Sequence, residues 1–283
     1  MAYEMKLSYF TNDDTFPFYI HYGEHEENMY LHGHADFSEL TICLKGQAIH
    51  TVGEERFEIH QGDVFVMGHG IVHGYEDTAN FKICNIMFRP EVFLSEEYDV
   101  KRLPGFHALF LLEPLFNAAQ GFQSRLHLDM EQYASLSRLI DITIREYNSQ
   151  NPGRKTLLLS YFLQIVVFLS RLYGQNPQYQ DINDIAAAAA FMENHFMEPL
   201  PMTRLLKETH YSQRHFIRLF QSAYQMPPQK YLLQIRLRHA RYLLQETDLS
   251  ITEIAHQCGF CDSNYFSRVF HAVNGISPSG YRK

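Results

Sequence analysis

The sequence predicts an α+β protein: an antiparallel β barrel or jelly roll in front, a helical segment after it, and an all-α end carrying two helix-turn-helix units. Three observations predict it. From Glu39 to Phe88 the chain is a series of short runs rich in Ile, Val, Thr and Phe, separated by glycines, the pattern of many short strands with tight turns. Between residues 129 and 173 apolar residues recur at helical spacing. In the last third, one stretch of text occurs twice, offset by 50 residues. A length of 283 residues suits two domains. The expected boundaries are 1–173 for the front domain (barrel about 1–100, helices about 129–173), 174–182 for a linker and 183–283 for the helical end.

Residues 1–30 are polar and aromatic in short alternating pieces, which fits one or two strands. The runs ELTICLKG, QAIHTVG, ERFEIHQGD, VFVMG and FKICNIMF then read as strands, with turns expected at Lys45-Gly46, Gly53-Glu54 and Gly62-Asp63. Pro104, Gly105, Pro114 and Gly121 keep 90–125 irregular around one short helix. Asp129 to Asn148 is helical in period, with Met130, Tyr133, Leu136, Leu139, Ile140 and Ile144 on its apolar face, and Asn151-Pro152-Gly153 ends it. Thr156 to Tyr173 is a second helix, apolar around much of its circumference. A helix of that kind is buried between partners, so its surplus face is expected to join a second subunit into a homodimer.

The longest apolar run, Leu157 to Leu169, contains Ser160 and Gln164 and is too short to span a bilayer. No charged, hydrophobic leader opens the chain, so a cytoplasmic protein without a membrane segment is expected. Cys43, Cys84, Cys258 and Cys261 suggest no disulfide framework and fit a reducing compartment. Cys258-Gly-Phe-Cys261 is formally CxxC, but it has no second pair and Cys258 lies on a core face, so zinc is not expected there. Net charge is −8. It is unevenly spread: 183–283 holds 11 Lys and Arg against 8 Asp and Glu, leaving 1–182 at −11. A mildly basic end on an acidic body fits a nucleic-acid reader joined to a sensor.

The C-terminal text carries the most specific signal. Ser250-Ile-Thr-Glu253 is a capping box, Ile251, Ile254, Ala255 and Cys258 form one apolar face, and Gly259 supplies a left-handed stop. Asp262 or Ser263 caps the next helix, whose apolar face is Phe266, Val269, Phe270 and Val273. Asn274-Gly275 ends it and Pro278 prevents continuation. This is a helix-turn-helix. The earlier copy is His215-Phe216-Ile-Arg218-Leu-Phe220, then Pro228 and Tyr231, which returns as Tyr265-Phe266-Ser-Arg268-Val-Phe270, then Pro278 and Tyr281. The units fall at about 202–223 and 251–274, joined by a helix over 229–246. Eighteen residues at ~1.5 Å each give about 27 Å, enough to hold two reading heads roughly one DNA turn apart. Ser212, Gln213, Arg214, His215 and Arg218 in the first unit, and Ser263, Asn264, Ser267 and Arg268 in the second, are the side chains that can reach phosphates and base edges of double-stranded DNA.

Residues 183–283 resemble the DNA-binding domain of AraC/XylS-type transcription regulators. The run from Ile251 to Arg282 matches that signature almost throughout, I-x-E-I-A-x-x-x-G-F-x-D-x-x-Y-F-x-R-x-F and then G-x-S-P-x-x-Y-R. The resemblance implies promoter binding and contact with RNA polymerase. The first unit departs from the pattern at three places: Gln225 stands for the helix-ending glycine, Pro201 for the Ser or Thr cap, and Leu206 for a small residue.

The front half resembles a cupin. His32-Gly-His34-Ala-Asp-Phe-Ser-Glu39, followed by six residues and Gly46, is similar to the first cupin motif. The stretch from Gly62 through Gly68-His69-Gly70 to His73 and Asp77 is similar to the second, with Gly68 for its proline and Asp77 for its asparagine. Two imidazoles spaced by one residue on a strand share a face, whereas Glu39 needs a bend to turn inward. His32, His34, Glu39 and His73 then suit a divalent metal (Zn, Ni, Mn or Fe), or a metal-free pocket for a small-molecule effector, or structural roles. His50, His60 and His69 carry no signal of their own. Asp36 and Phe37 shape the pocket edge, and Phe57, Phe65, Met67 and Phe88 read as barrel core rather than an effector cage. HADFSELTICLKG and CNIMF resemble sugar-responsive members of the family, the rhamnose regulators in particular. The expected function is a transcription activator answering a sugar-like effector. The alternatives are a metal-dependent cupin enzyme (an isomerase or dioxygenase), to which two reading heads would be superfluous, and a repressor or architectural DNA binder with a vestigial cupin and no effector.

Overall fold

The computed structural model describes residues 3–90, 98–113, 126–174, 180–207, 209 and 211–282. The chain divides into two compact units, Met1–Leu94 with Gly105–Ile182, and Ser95–Pro104 with Asn183–Lys283. The second unit therefore includes a short segment that the sequence pattern assigned to the front.

Among the described residues, eight strands build the first unit: β1 (Tyr3–Met5), β2 (Phe18–His25), β3 (Met29–His34), β4 (Ser38–Val52), β5 (Glu55–His60), β6 (Asp63–Met67), β7 (His73–Phe88) and β8 (Leu126–His127). Their order is β1-β3-β7-β4-β6-β8, with β2 also paired to β7 and β5 to β4. The pairs are antiparallel except β1 with β3, which runs parallel with Tyr3 opposite His32. β8 extends the sheet beyond the expected barrel limit near residue 100.

Lys45-Gly46 is not a turn. β4 continues through it for 15 residues, and its pairing with β7 slips between Cys43 and Ile49. Gly46 has φ +74°, and a Cβ there would lie 2.2 Å from the Ala79 carbonyl oxygen. Opposite it, Asp77 and Asn80 of β7 take φ of 50° and 47°. Both long strands thus bend together around one close backbone contact, which only glycine permits on the β4 side. For the same reason the last strand begins at His73, not at Phe81 as its text suggested. The bulge also exchanges the faces of β4. Cys43 before it, and Ala48 and Val52 after it, join one interior cluster with Phe65, Met67, Ile71, Tyr75, Phe81 and Ile83, against which Phe57 packs.

Helix α1 (Met130–Tyr147) begins at Asp129, which makes a full capping box with Gln132. Leu136 and Ile140 are buried, but Met130 is 89% exposed and does not join the face predicted for it. Helix α2 (Arg154–Tyr173) starts two residues earlier than predicted, after Gly153 at φ 82°. It lays Leu158, Phe162, Ile165, Val166, Leu169 and Tyr173 inward. Phe162 meets Phe18 and Phe88 at ring-centroid distances of 5.1 and 4.9 Å, so Phe88 faces the helices rather than the barrel interior. Burying such a ring stabilises by roughly 1.5–3 kcal/mol. At 20 residues α2 is long and apolar enough to cross a membrane by length and composition, so shortness is not what separates it from a span. Its ring contacts with the sheet are those of a core helix.

The second unit contains α3 (Gln180–His195), α4 (Met202–Leu205), α5 (Gln213–Tyr224), α6 (Pro228–Glu246), α7 (Ile251–Gln257), α8 (Ser263–Asn274) and α9 (Pro278–Tyr281). Of the expected linker 174–182, Gly174 caps α2 and residues from Gln180 are already helical, while 175–179 lie outside the described residues. α6 packs against α5, α7 and α9, and Pro228 opens it at a position where no N–H is required. Glu193 of α3 is held by Arg238 of α6 at 2.6 Å.

The two halves of the repeat share their packing as well as their text. Phe216 and Phe220 are fully buried, as are Phe266 and Phe270. Phe220 meets Tyr231 edge-on at 5.5 Å, and Phe270 meets Tyr281 edge-on at 5.5 Å. Val273 does not complete the predicted face of α8 and is 57% exposed. The substituted glycine position keeps its geometry: Gln225 caps α5 at φ 56°, where Gly275 caps α8 at φ 74°. The Gln225 side chain donates to the Ser222 carbonyl at 2.7 Å, which offsets part of the left-handed strain. Gln225→Gly is therefore expected to stabilise the protein by about 0.5–1 kcal/mol in denaturant unfolding.

Candidate functional site

In the second unit, the capping box of Ser250 and Glu253 starts α7. Ser250 N–H donates to Glu253 Oε2 at 2.7 Å, and Glu253 N–H donates to Ser250 Oγ at 3.2 Å. Gly259 turns the chain at φ +78°. Asp262, not Ser263, caps α8, accepting from Asn264 N–H at 2.8 Å. With Phe266 and Phe270 inward, α8 leaves Asn264 and Arg268 exposed and Ser263 and Ser267 half-buried. The Ser267 hydroxyl is engaged within the helix, donating to the Ser263 carbonyl at 2.8 Å.

The first helix-turn-helix presents the same plan with a weaker entry. α4 has four residues against seven in α7, and Pro201 at its start offers no side-chain cap. On α5, Ser212 caps by accepting from His215 N–H at 3.4 Å. Gln213, Arg214 and Arg218 are exposed. The half-buried His215 ring lies 5.0 Å from the Tyr211 ring at a tilt of 48°, with its Nδ1 3.0 Å from Arg218 Nη2. It orients that guanidinium, a role the sequence did not reveal. Gln213, Arg214, Arg218, Asn264 and Arg268 are thus presented outward on the two second helices, and the two arginines occupy equivalent places.

In the first unit, His32 and His34 stand at the end of β3, Glu39 at the start of β4 and His73 at the start of β7. The bend that Glu39 needed is residues 35–37, fixed by Asp36, whose carboxylate accepts from Leu7 N–H at 2.9 Å and pairs with Arg89 at 2.8 Å. One ligand atom from each of His32, His34, Glu39 and His73 lies within 4.8 Å of the others, and all four residues are buried. His34 Nε2 is 3.3 Å from His73 Nε2, and the two lie 3.8 and 3.7 Å from Glu39 Oε2. Contacts this short leave room for an ion and not for a sugar ring.

His32 Nδ1 lies 3.0 Å from the Tyr30 carbonyl, so it is the donor and Nε2 is left as a lone pair. The ring of His34 stacks on Phe37 at 4.4 Å, and its Nδ1 has no hydrogen-bond partner. Burial and the nearby His32 hold His34 down at about 3. Burial, then His34, His50 and His32, hold His73 well below the usual histidine range. Burial pushes Glu39 up to about 8, the neighbouring Thr41 hydroxyl acting the other way. Three neutral imidazoles and a protonated carboxyl, buried with few outside partners, are costly, and a divalent cation would satisfy them together. The donor set fits one.

His50 joins this cluster. It is fully buried, and its Nε2 lies 3.1 Å from His73 Nδ1. No motif marks it in the sequence, and it lies an odd number of residues from Glu39, which in an unbroken strand means the opposite face. The bulge at Gly46 reverses that. His69 is exposed and lines a cleft of about 550 Å³ with Pro17, Asp36, Phe37, Ser38, Arg89 and Pro90. Phe37 therefore separates this cleft from His34. His60 is exposed on β5.

The model of the AraC-like ligand binding domain family matches residues 17–165, and that of a helix-turn-helix domain family matches 205–283. The chain is 27% identical over 276 residues to the HTH-type transcriptional activator RhaR of Mannheimia succiniciproducens, covering 97% of this chain and 94% of that protein. It is 30% identical over 254 residues to the HTH-type transcriptional activator RhaS of Escherichia fergusonii, covering 88% and 86%. Among solved structures, an AraC-type regulator from Chromobacterium violaceum is 34% identical over 35% of this chain and 88% of that one, with a TM-score of 0.33.

Proposed function

Because this chain belongs to the AraC family of ligand-binding helix-turn-helix regulators, we propose that it activates transcription at a promoter in response to a small carbohydrate-like molecule. Its relatives over nearly the whole chain are named as transcriptional activators, which leaves no place for the metal-dependent enzyme as an alternative. The observation that carries the DNA role is the repeat itself: two helices with the same buried phenylalanines offer an arginine outward at the same place. Arg268 and Arg218 read bases in successive major grooves. The other outward side chains, Gln213, Arg214 and Asn264, position the backbone. The regulator works in the cytoplasm, where it meets promoter DNA and RNA polymerase.

Arg268→Ala is expected to weaken operator binding by about 1–3 kcal/mol and to relax specificity at one base pair. Arg218→Ala should do less, because the first unit has the shorter entry helix and His215 already engages its arginine. Titrations on an operator series at fixed salt check this. Unchanged affinity and salt slope in both variants sinks the assignment.

The effector occupies the cleft beside Phe37, where Asp36, Arg89 and His69 supply polar groups. The four-residue cluster behind Phe37 holds a divalent metal, which there supplies a fixed positive charge that orders the β3 end and the β4 and β7 starts. The protein works as a homodimer joined along α2, whose outward side carries the exposed Leu157 and the half-buried Tyr161, Val167 and Phe168. Val167→Glu should then sediment as a folded monomer at concentrations where the unaltered protein is a dimer. A monomeric unaltered protein at tens of micromolar removes the dimer from the proposal.

A further inference from the structure

We propose that His50 is the positioning residue of the metal centre: it accepts the Nδ1 proton of His73 and so presents His73 Nε2 to the ion. This rests on the metal reading of His32, His34, Glu39 and His73.

His73 stands between two sets of neighbours. Its Nε2 faces the cluster, 3.3 Å from His34 Nε2 and 3.7 Å from Glu39 Oε2. Its Nδ1 faces away, 3.1 Å from His50 Nε2. A contact of that length between neutral imidazoles needs one shared proton. If His73 Nδ1 carries it, Nε2 is a lone pair aimed at the ion. If His50 Nε2 carries it, His73 must hold its own proton on Nε2, where it blocks coordination. Ion binding therefore selects the first arrangement, and His50 must be able to accept. Metal-bound histidines are commonly oriented through the other ring nitrogen in this way, and removal of such a partner costs about 10–100-fold in metal affinity.

The position of His50 is fixed by packing and is not adaptable. Its ring stacks on Phe65 at 4.5 Å and lies 5.1 Å from Tyr75. Tyr75 is its register partner on β7, and Phe57 is its partner on β5. His50 is outside the mutually close ligand set, so its part is to aim His73 rather than to bind.

The test is zinc and cobalt(II) affinity of the full-length protein, by competition with a chelator, in His50→Phe, His50→Gln and His50→Asn. Phenylalanine fills the space and accepts nothing, glutamine can accept at similar reach, and asparagine is too short. The expected result is metal affinity about 10–100-fold weaker for Phe and Asn, recovery of most of it by Gln, and a changed cobalt absorption spectrum in the Phe and Asn variants. Far-UV circular dichroism of the metal-free proteins monitors folding, and Asn serves if Phe does not fold. Wild-type affinity and an unchanged cobalt spectrum in either Phe or Asn overturns the role of His50 alone. Failure of the unaltered protein to take up zinc or cobalt overturns the metal reading, and this inference with it.

Discussion

If the proposed metal centre holds, the unaltered protein purified without an affinity tag is expected to carry close to one equivalent of divalent metal by elemental analysis, and His73→Ala protein to lose it. In the proposed centre His73 would be one of four ligands and the one contributed by β7, so its loss would leave only the β3–β4 side. The cost should exceed the roughly 10–100-fold typical of an outer partner. DNA binding by the second unit, with its own core around Phe266 and Phe270, is expected to survive in this variant, while the effector response is lost. Metal uptake at the proposed centre should also have a defined pH dependence. Burial holds His34 at about 3 and His73 well below 6.5, so near neutral pH neither has a proton to lose. Glu39 is the group that competes, because burial keeps it protonated up to about 8. The metal needs the carboxylate, so uptake at pH 7 should release close to one proton, and affinity should fall about tenfold per pH unit below 8. Metal affinity that is flat between pH 6 and 8, with no proton release in buffers of different ionisation heat, would show that Glu39 is not a ligand.

Gly46→Val is expected to be the most damaging single change in the barrel. The backbone there is left-handed at φ +74°, and the added Cβ would lie 2.2 and 2.3 Å from the carbonyl oxygens of Ala79 and Asn80. No rotamer relieves a Cβ contact with backbone, and a β-branched residue at positive φ is a severe outlier. Relief requires β4 and β7 to separate at their shared bend, which also moves Ala48, His50 and Val52 relative to the interior. The loss should reach several kcal/mol, at or beyond the level of about 4–5 kcal/mol that is exceptional for one substitution. Denaturant unfolding checks it, and Gly53→Val is the control, since Gly53 has positive φ but nothing within 4 Å of its Cβ. Equal losses at the two positions would mean that strain at φ, and not the contact with β7, sets the effect.

The same glycine marks the boundary of what the sequence disclosed. The α-helical end was legible almost to the residue, because capping boxes, left-handed stops and the i, i+3, i+4 pattern are local signals, and here they are written twice. Even there Val273 misled, since an apolar residue at the right spacing can still lie beyond the edge of its core. In the barrel, the text around Gly46 has a turn's composition but serves a bend. Nothing local distinguishes the two, because the difference lies in Ala79 and Asn80 across the sheet. His32, His34, Glu39 and His73 were legible as a set from motif spacing. His50 was not, because its facing depends on the bulge, and the bulge depends on a partner strand. The Asp36 anchor from Leu7 and Arg89 was hidden for the same reason.

The repeated edge-on contacts, Phe220 on Tyr231 and Phe270 on Tyr281, differ in where the tyrosine is mounted. Tyr281 sits on α9, a separate four-residue helix laid against α6, so the latch of the second head is a piece added to the shaft. Tyr231 sits on the first turns of α6, the shaft that also packs against α7, so the latch of the first head is cut into the part that carries both. The two heads are alike as shapes and unequal as dependants. The first is locked by a residue of the shaft itself, the second by a residue that only rests on it.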